Sequence, residues 1–265
     1  MASQLAKPCF PPRSDQAPTI SFKYFGPFVK HLIIGGPHLE RDSVINFLVA
    51  CHNIGNLALW THITTREFLP ALEVLSLNRL STNLAGLSFE DLTSSTFRNI
   101  THLDISPGLD DTEPYNCWPE WRAFSHLTFL THLAINDLMG NFDEIIRNLL
   151  RDCQHLQILL IIEVMNSTLD LKNVPFSDPR LILMKIERYM LEDWVEGAKG
   201  NEDIWRCAEE ISRAKQGNLP RYLNTSSLSR GILDGFLKNI DHRIWFTRHG
   251  YREELYKRCG YPKGS

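Results

Sequence analysis

A short hydrophobic pattern recurs along the chain. In each six-residue copy, positions 1, 4 and 6 are aliphatic or methionine. The seven copies occupy residues 29–34, 54–59, 72–77, 100–105, 130–135, 156–161 and 181–186. Their first positions are 25, 18, 28, 30, 26 and 25 residues apart, which leaves room for one short strand and one returning segment per step. Because side chains alternate across a strand, positions 1, 4 and 6 are expected to face a core while positions 3 and 5 face away from it.

Repeats of this length predict an α/β fold, namely an irregular leucine-rich-repeat solenoid of about seven repeats with parallel strands on one face. Two returning segments carry helical spacing. Residues 42–51 begin with Asp42 or Ser43 as the helix start and continue with apolar residues on one face. A second such helix is expected to start at Asn141 or Asp143 and to end near Cys153, with Ile145, Ile146, Leu149 and Leu150 facing inward.

The pattern divides the chain into four parts. Residues 1–27 form a proline-rich lead-in, residues 28–188 the solenoid, residues 189–217 a helical C-terminal cap, and residues 218–265 a basic, aromatic and weakly ordered tail. Aromatic residues at the end of the lead-in are expected to fold back over the first repeat, since an open solenoid end needs a cover. These residues are Phe22, Tyr24, Phe25 and Phe28.

The cap has a visible cause in the last two repeats. Their outward positions are Ile158, Leu160, Leu183 and Lys185, and Ile162 extends this mostly apolar set. Apolar surface of this size is usually covered. Residues 190–216 supply two candidate helices with apolar faces, divided at Gly197 and Gly200.

Composition and charge limit the partners and the cellular compartment that are expected for the protein. The 265 residues carry a net charge of -3, so no overall field draws the chain to nucleic acid or to an anionic membrane. Six widely spaced cysteines without a C-x-x-C pair predict reduced thiols and an intracellular protein of the cytoplasm or nucleus. The N-terminus lacks the pattern of a secretory signal, and no apolar stretch reaches the roughly 20 residues of a membrane helix.

Repeats four and five place a polar set on the outward positions. Neighbouring parallel strands lie about 4.8 Å apart, so these side chains could contact one protein or peptide target on the strand face. The candidate binding residues are His102, Asp104, Ser106, His132 and Asn136. The alternative is that they are ordinary solvated positions of a strand face.

Other chemistry is not expected. No metal site is predicted, because zinc needs three or four ligands and the third histidine, His31, lies three strands from His102. The chain has no G-x-S-x-G, H-E-x-x-H, G-x-x-x-x-G-K or G-x-G-x-x-G motif. We therefore predict no cofactor, no catalytic residue and no enzymatic activity. The basic, aromatic tail resembles a nucleic-acid contact in composition only.

Several passages resemble the repeat region of the F-box/leucine-rich-repeat proteins that are expanded in basidiomycete fungi. They are CHNIGNLALW (51–60), LEVLSL (72–77), FRNITHLDI (97–105), LTFLTHLAI (127–135) and EDWVEGAKG (192–200), with IW at 204–205 and AEE at 208–210. The resemblance covers roughly residues 25–217. It implies the substrate-recognition part of an SCF-type ubiquitin ligase, in which an F-box recruits the ligase adaptor and the repeats hold the target.

No F-box is recognisable, since residues 1–27 are too short and too rich in proline for that helical module. The adaptor is therefore expected as a partner only if an upstream F-box exists. The sequence favours a non-enzymatic protein-binding repeat domain. The alternatives are a repeat scaffold unrelated to ubiquitination, an enzyme carried on the repeats, or a nucleic-acid-binding protein that uses the tail.

Overall fold

The strands of the protein form one parallel sheet. The computed structural model describes residues 22–36, 39–83, 87–106, 121–136, 143–164, 177–186, 190–216 and 246–247. The strands in these residues are β1 (His31–Gly36), β2 (Asn56–Thr61), β3 (Arg79–Asn83), β4 (His102–Ser106), β5 (His132–Asn136), β6 (Ile158–Val164), β7 (Leu181–Ile186) and β8 (Phe246–Thr247). Each strand pairs in parallel with the next strand along the chain. The predicted α/β class with parallel strands is confirmed.

Helical segments connect the strands. The α-helices are α1 (Phe22–Phe25), α2 (Arg41–Ala50), α3 (Leu69–Leu72), α4 (Phe89–Leu92), α5 (Asp143–Asp152), α6 (Met190–Ala198) and α7 (Ile204–Lys215). Helices α2 and α5 lie where helical spacing predicts them. Helix α2 starts earlier than expected, since Glu40 is its N-cap and Asp42 and Ser43 are already inside the first turn. Among the described residues, no helix has the length and apolar character to cross a membrane.

A repeated pair of backbone hydrogen bonds leads into the strands. The carbonyl oxygen of Lys30 accepts hydrogen bonds from the N–H groups of Gly55 and Asn56, at 3.0 and 3.1 Å. The same pair of bonds forms at the carbonyls of Gly55, Asn78, Thr101 and Thr131, each with the next stretch of chain. The same local backbone geometry therefore recurs from β1 to β6.

One side of the sheet, which we call the core face, carries a column of leucines in register. The column consists of Leu57, Leu80, Leu103, Leu133, Leu159 and Leu181. Each of these side chains is at most 1% exposed. They share one apolar cluster with side chains of the connecting segments, among them Leu48, Phe68, Phe97, Phe124 and Leu149. Full burial of one such leucine contributes about 2 kcal/mol, so this column is a major source of stability.

The third predicted strand is wrong. Residues 72–77 do not form a strand: Leu72 ends α3, and the strand of this repeat is β3, which begins at Arg79. The sequence pattern missed it because the position that is leucine or isoleucine in β2 and β4 is Thr82 in β3. The buried hydroxyl of Thr82 hydrogen-bonds to the hydroxyl of Thr65 in the preceding connection.

The predicted register of the seventh repeat is also wrong. Leu181 pairs with Leu159 rather than with the residue three positions earlier. As a result Leu183 lies in the cluster of the core face, whereas Ile182 and Met184 face the other side. The side chain of Lys185 lies outside the described residues.

The corrected registers make the repeat lengths more even. Paired residues are 25 apart for His31 and Asn56, 23 for Asn56 and Arg79, and 23 for Arg79 and His102. The next spacings are 30, 26 and 22 residues. The predicted 18-residue step therefore disappears.

Other predictions concern the ends of the chain. The lead-in up to residue 21 and almost all of the tail lie outside the described residues. Of the aromatic residues expected to cover the first repeat, Tyr24 is 78% and Phe28 80% exposed, so these two do not cover it. Phe25 is half-buried.

Helices α6 and α7 lie across the opposite side of the sheet, which we call the second face. Apolar side chains from α7 pack on the strand residues there, as the apolar outward positions predict. The cluster consists of Ala134, Ile158, Leu160, Ile162, Ile182 and Met184 from the sheet with Ile204, Trp205, Ala208 and Ile211 from α7. Helix α7 thus covers Ile158, Leu160 and Ile162, as expected. It lies on the second face of the sheet and not beyond the last strand, where a cap on the end of a solenoid would lie.

Helix α7 crosses five strands. Its N-cap Asp203 binds Arg79 on β3, and Lys215 in its last turn donates a hydrogen bond to the carbonyl of Leu181 on β7, at 2.6 Å. The rise from residue 203 to 215 is about 18 Å in a helix. Four strand spacings amount to about 19 Å. The length of α7 therefore matches the distance from β3 to β7.

Candidate functional site

The five residues predicted to bind a partner do lie together. His102, Asp104 and Ser106 share the second face of β4, and His132 pairs with His102 from the neighbouring β5. Asn136 lies at the end of β5 and donates a hydrogen bond to the carboxylate of Asp104. The structure therefore brings these five residues together on two adjacent strands.

Their exposure is not as predicted. Asp104 is 4%, His132 5% and Asn136 8% exposed, and His102 and Ser106 are intermediate. The reason is α7, whose Trp205 ring contacts both imidazoles edge-on, with centroids 5.2 Å from His102 and 5.7 Å from His132. This set is therefore not a freely exposed surface.

Asp104 is the centre of a polar chain across four strands. The indole N–H of Trp60 donates to the hydroxyl of Ser81 at 2.8 Å, and this hydroxyl donates to Asp104 Oδ2 at 2.7 Å. Asn136 donates to the other carboxylate oxygen. Burial raises the pKa of Asp104 to about 6, although the hydrogen bonds from Ser81 and Asn136 act in the opposite direction. Because both carboxylate oxygens are partnered, this chain accounts for the burial of Asp104.

The two histidines form a stacked pair. Their ring centroids are 4.1 Å apart and their planes differ by 9°. Nδ1 of His102 lies 2.9 Å from the hydroxyl of Thr101, and Nδ1 of His132 lies 2.8 Å from that of Thr131. Burial is the main cause that lowers the pKa of both imidazoles, to about 3 for His102, so the neutral forms are favoured at pH 7.

The Thr hydroxyls have a second contact that bears on the tautomers of these rings. The Thr101 hydroxyl lies 3.1 Å from the carbonyl oxygen of Asn78, and the Thr131 hydroxyl lies 3.2 Å from that of Thr101. A hydroxyl has one proton, so a hydroxyl that donates to the carbonyl accepts from the neighbouring histidine. That arrangement corresponds to the tautomer with the proton on Nδ1 and a lone pair on Nε2.

Glu209 of α7 completes this cluster. Its Oε1 lies 3.3 Å from His132 Nε2, and the carboxylate side chain is 43% exposed. One ligand atom each from His102, His132 and Glu209 lies within 4.8 Å of the others. Two histidines and a carboxylate are ligands that transition metals use.

A second polar contact holds the start of α7. Arg79 donates from Nη2 to Asp203 Oδ2 at 2.7 Å, and its guanidinium lies 5.8 Å from the ring centroid of Trp194. Asp203 Oδ1 accepts the N–H of Arg206 and caps the helix. Of the two glycines predicted to divide the segment, Gly200 lies between the helices with a positive φ of 77°, whereas Gly197 is inside α6. A Cβ at Gly197 would lie 2.5 Å from Asp203 Oδ2.

Sequence analysis did not identify Arg79 or Glu209 as parts of this site. Arg79 was missed because the third strand was placed too early. Glu209 is one of several charged residues on a helix with an apolar face, and only the docked position of α7 brings it to the histidines. The only sequence signal that bears on Glu209 is the apolar spacing that predicts α7, and this spacing does not show where the helix docks.

In comparisons with known proteins, no protein-family model matches this chain, and no curated protein matches it either.

Proposed function

We propose that the protein is a non-enzymatic, leucine-rich-repeat binding domain that holds a protein or peptide target. The observation that supports this most is the recurrence of one backbone geometry, since the same carbonyl-to-N–H pair leads from each strand to the next from β1 to β6. In repeat proteins each unit contacts its neighbours and the stack offers an extended surface for partners.

The ligase origin is a further part of the proposal. It rests on the resemblance of passages such as 51–60 and 127–135 to fungal F-box/leucine-rich-repeat proteins. We expect the SCF adaptor to co-purify with a longer product that carries an F-box upstream of Met1, and not with the 265-residue chain. Adaptor capture by the 265-residue chain alone would contradict the assignment of adaptor binding to an upstream F-box. The first experiment is to determine the genomic sequence upstream of Met1.

The partner surface needs a part of the second face that α6 and α7 leave accessible. On β1, the outward residue His31 is exposed and Ile33 is half-buried. At the carboxyl ends of the next strands, Trp60, Asn83 and Ser106 are partly accessible. We propose that the target contacts these five accessible residues, which we call the contact row. Of the residues predicted from the sequence to bind a partner, only Ser106 belongs to this row.

Site-specific photo-crosslinking in cells tests this placement. A crosslinking residue at position 31 should capture one defined protein, whereas the same residue at position 49 should not. Val49 is a matched control because it is 56% exposed on α2, away from the second face. The captured protein is then purified for binding measurements.

The binding measurements use single substitutions. Ser106→Arg should weaken binding of the captured protein by at least tenfold, about 1.4 kcal/mol, because a long charged side chain enters the contact row. Val49→Arg should leave the affinity unchanged. Equal crosslinking from positions 31 and 49, or equal binding by both variants, would show that the target binds elsewhere.

A further inference from the structure

We propose that His102, His132 and Glu209 form a site for a divalent transition-metal cation of the zinc class, which fixes helix α7 on the sheet. Two ligands come from adjacent strands and the third from the helix that crosses them. The sequence alone predicts no such site, because the third histidine, His31, lies three strands from His102. The proposal does not depend on the proposed function.

The distances suit a small cation. His132 Nε2 and Glu209 Oε1 are 3.3 Å apart. Two ligands of a tetrahedral zinc ion with bonds of 2.0–2.1 Å are about 3.4 Å apart. All three ligand atoms lie within 4.8 Å of one another, so small rotations of side chains can bring them to one ion. The stacked imidazoles must turn slightly about χ2 to converge, and this torsion has a broad minimum.

The buried ring nitrogen of His132 faces the carboxylate of Glu209. His132 Nε2 makes no hydrogen bond of good geometry and lies 3.3 Å from Glu209 Oε1. In the tautomer with the proton on Nδ1, both of these atoms are acceptors. In that tautomer a cation between them replaces the repulsion of two acceptors by attraction.

The surroundings of the histidines match those of metal ligands. Ligating histidines usually donate their second ring N–H to an oxygen, which fixes the tautomer and the ring orientation. Here the Thr101 and Thr131 hydroxyls lie 2.9 and 2.8 Å from Nδ1 of the two histidines, in position to accept such N–H groups. Because the Glu209 side chain is 43% exposed, water can reach a fourth coordination position.

Metal titration of the full-length chain tests the proposal. The protein is treated with a chelator and dialysed, then titrated with Zn²⁺ by calorimetry and with Co²⁺ by visible absorption. We expect one ion per chain and a tetrahedral-type Co²⁺ spectrum. Glu209→Gln should weaken binding by at least about tenfold, and the adjacent Glu210→Gln is the matched control that should bind like the parent.

Hydrogen exchange provides the second measurement. Zn²⁺ should slow exchange of the α7 amides in the parent and in Glu210→Gln, but not in Glu209→Gln. Glu209 is partly exposed, so its substitution should not prevent folding, and a His102→Asn variant provides a second removed ligand. No binding at one ion per chain, or equal affinity in the parent and Glu209→Gln, would overturn the proposal. Either result would leave a His132–Glu209 contact that holds no metal ion.

Discussion

The two faces of the sheet differ in how uniform they are. On the core face, the same position is leucine in six successive strands, from Leu57 to Leu181, and every copy is buried. On the second face, the paired positions are Arg79, His102, His132 and Ile158. Arg79 binds Asp203, both histidines contact Trp205, and Ile158 belongs to the apolar cluster under α7. Helix α7 occurs once and crosses the strands, so the strand residues under it change along its length. Repetition thus determines the core face, while one unique segment determines the second face.

The largest expected effect comes from a charge on the core face. Leu103 is fully buried in the middle strand of the sheet. Leu103→Asp places a carboxylate there without a partner, and we expect a loss of at least about 4 kcal/mol in the free energy of unfolding. Chemical denaturation followed by circular dichroism measures the loss.

The control for Leu103→Asp is Val74→Asp. Val74 is 63% exposed and belongs to the segment whose predicted strand is wrong. This substitution should change the free energy of unfolding by less than about 0.5 kcal/mol. Comparable losses in both variants would mean that Val74 is buried like its neighbours Leu72, Leu75 and Leu77 rather than exposed.

On the second face, Trp205→Ala should have a smaller and more local effect. The indole packs against both imidazoles and belongs to the cluster under α7. Its removal should cost about 3 kcal/mol of docking free energy, and the loss should appear first as faster hydrogen exchange in α7.

The core face and the second face should differ in which backbone amides exchange faster in Trp205→Ala. Exchange of the leucine column amides in β2–β6 should change little in Trp205→Ala, because α7 can open while the sheet stays folded. Leu191→Ala on α6 is the control, since this side chain is 51% exposed. If the strands and α7 exchange together, the two faces form one cooperative unit.

Sequence could predict the core face because its signal is repeated. Six of the seven strands predicted from aliphatic residues at fixed positions are present, and a deviation at one residue, Thr82, was enough to displace the third. The short β8 carries no copy of the pattern and was not predicted. The register of the seventh repeat failed for a related reason: leucine, isoleucine and methionine occupy consecutive positions there, so no alternation marks the two faces.

Sequence could not predict the second face to the same degree. It correctly placed His102, Asp104 and His132 side by side, because strand alternation fixes their direction. It could not foresee their burial, which depends on where α7 lies. The apolar spacing of α7 predicts a helix that packs on another surface. Tertiary contacts, such as that between Arg79 and Asp203, determine which surface this is.

The Arg79–Asp203 pair gives the next smaller prediction. The side chains are 21% and 8% exposed. Asp203→Asn keeps an acceptor for the N–H of Arg206 but removes the ion pair, and should cost about 1–2 kcal/mol. Asp203→Ala removes the helix cap as well and should cost about 1 kcal/mol more. Thermal and chemical denaturation of the two variants separate the ion pair from the cap, and equal losses would show that the cap contributes nothing.

The smallest expected effect tests the polar exception on the core face. Thr82 donates to the Thr65 hydroxyl, which in turn donates to the carbonyl of Asn83 at 2.8 Å. Thr82→Val keeps the shape and removes one hydrogen bond, so we expect a loss of about 1 kcal/mol. Thr65→Val should cost more, because it leaves both the Thr82 hydroxyl and the Asn83 carbonyl without this partner. The double variant should cost less than the sum of the single ones, since no hydroxyl is then left buried without a partner. Additive losses in a double-mutant cycle would mean that the two hydroxyls contribute to stability independently. The hydrogen bond between Thr65 and Thr82 would then make no contribution of its own.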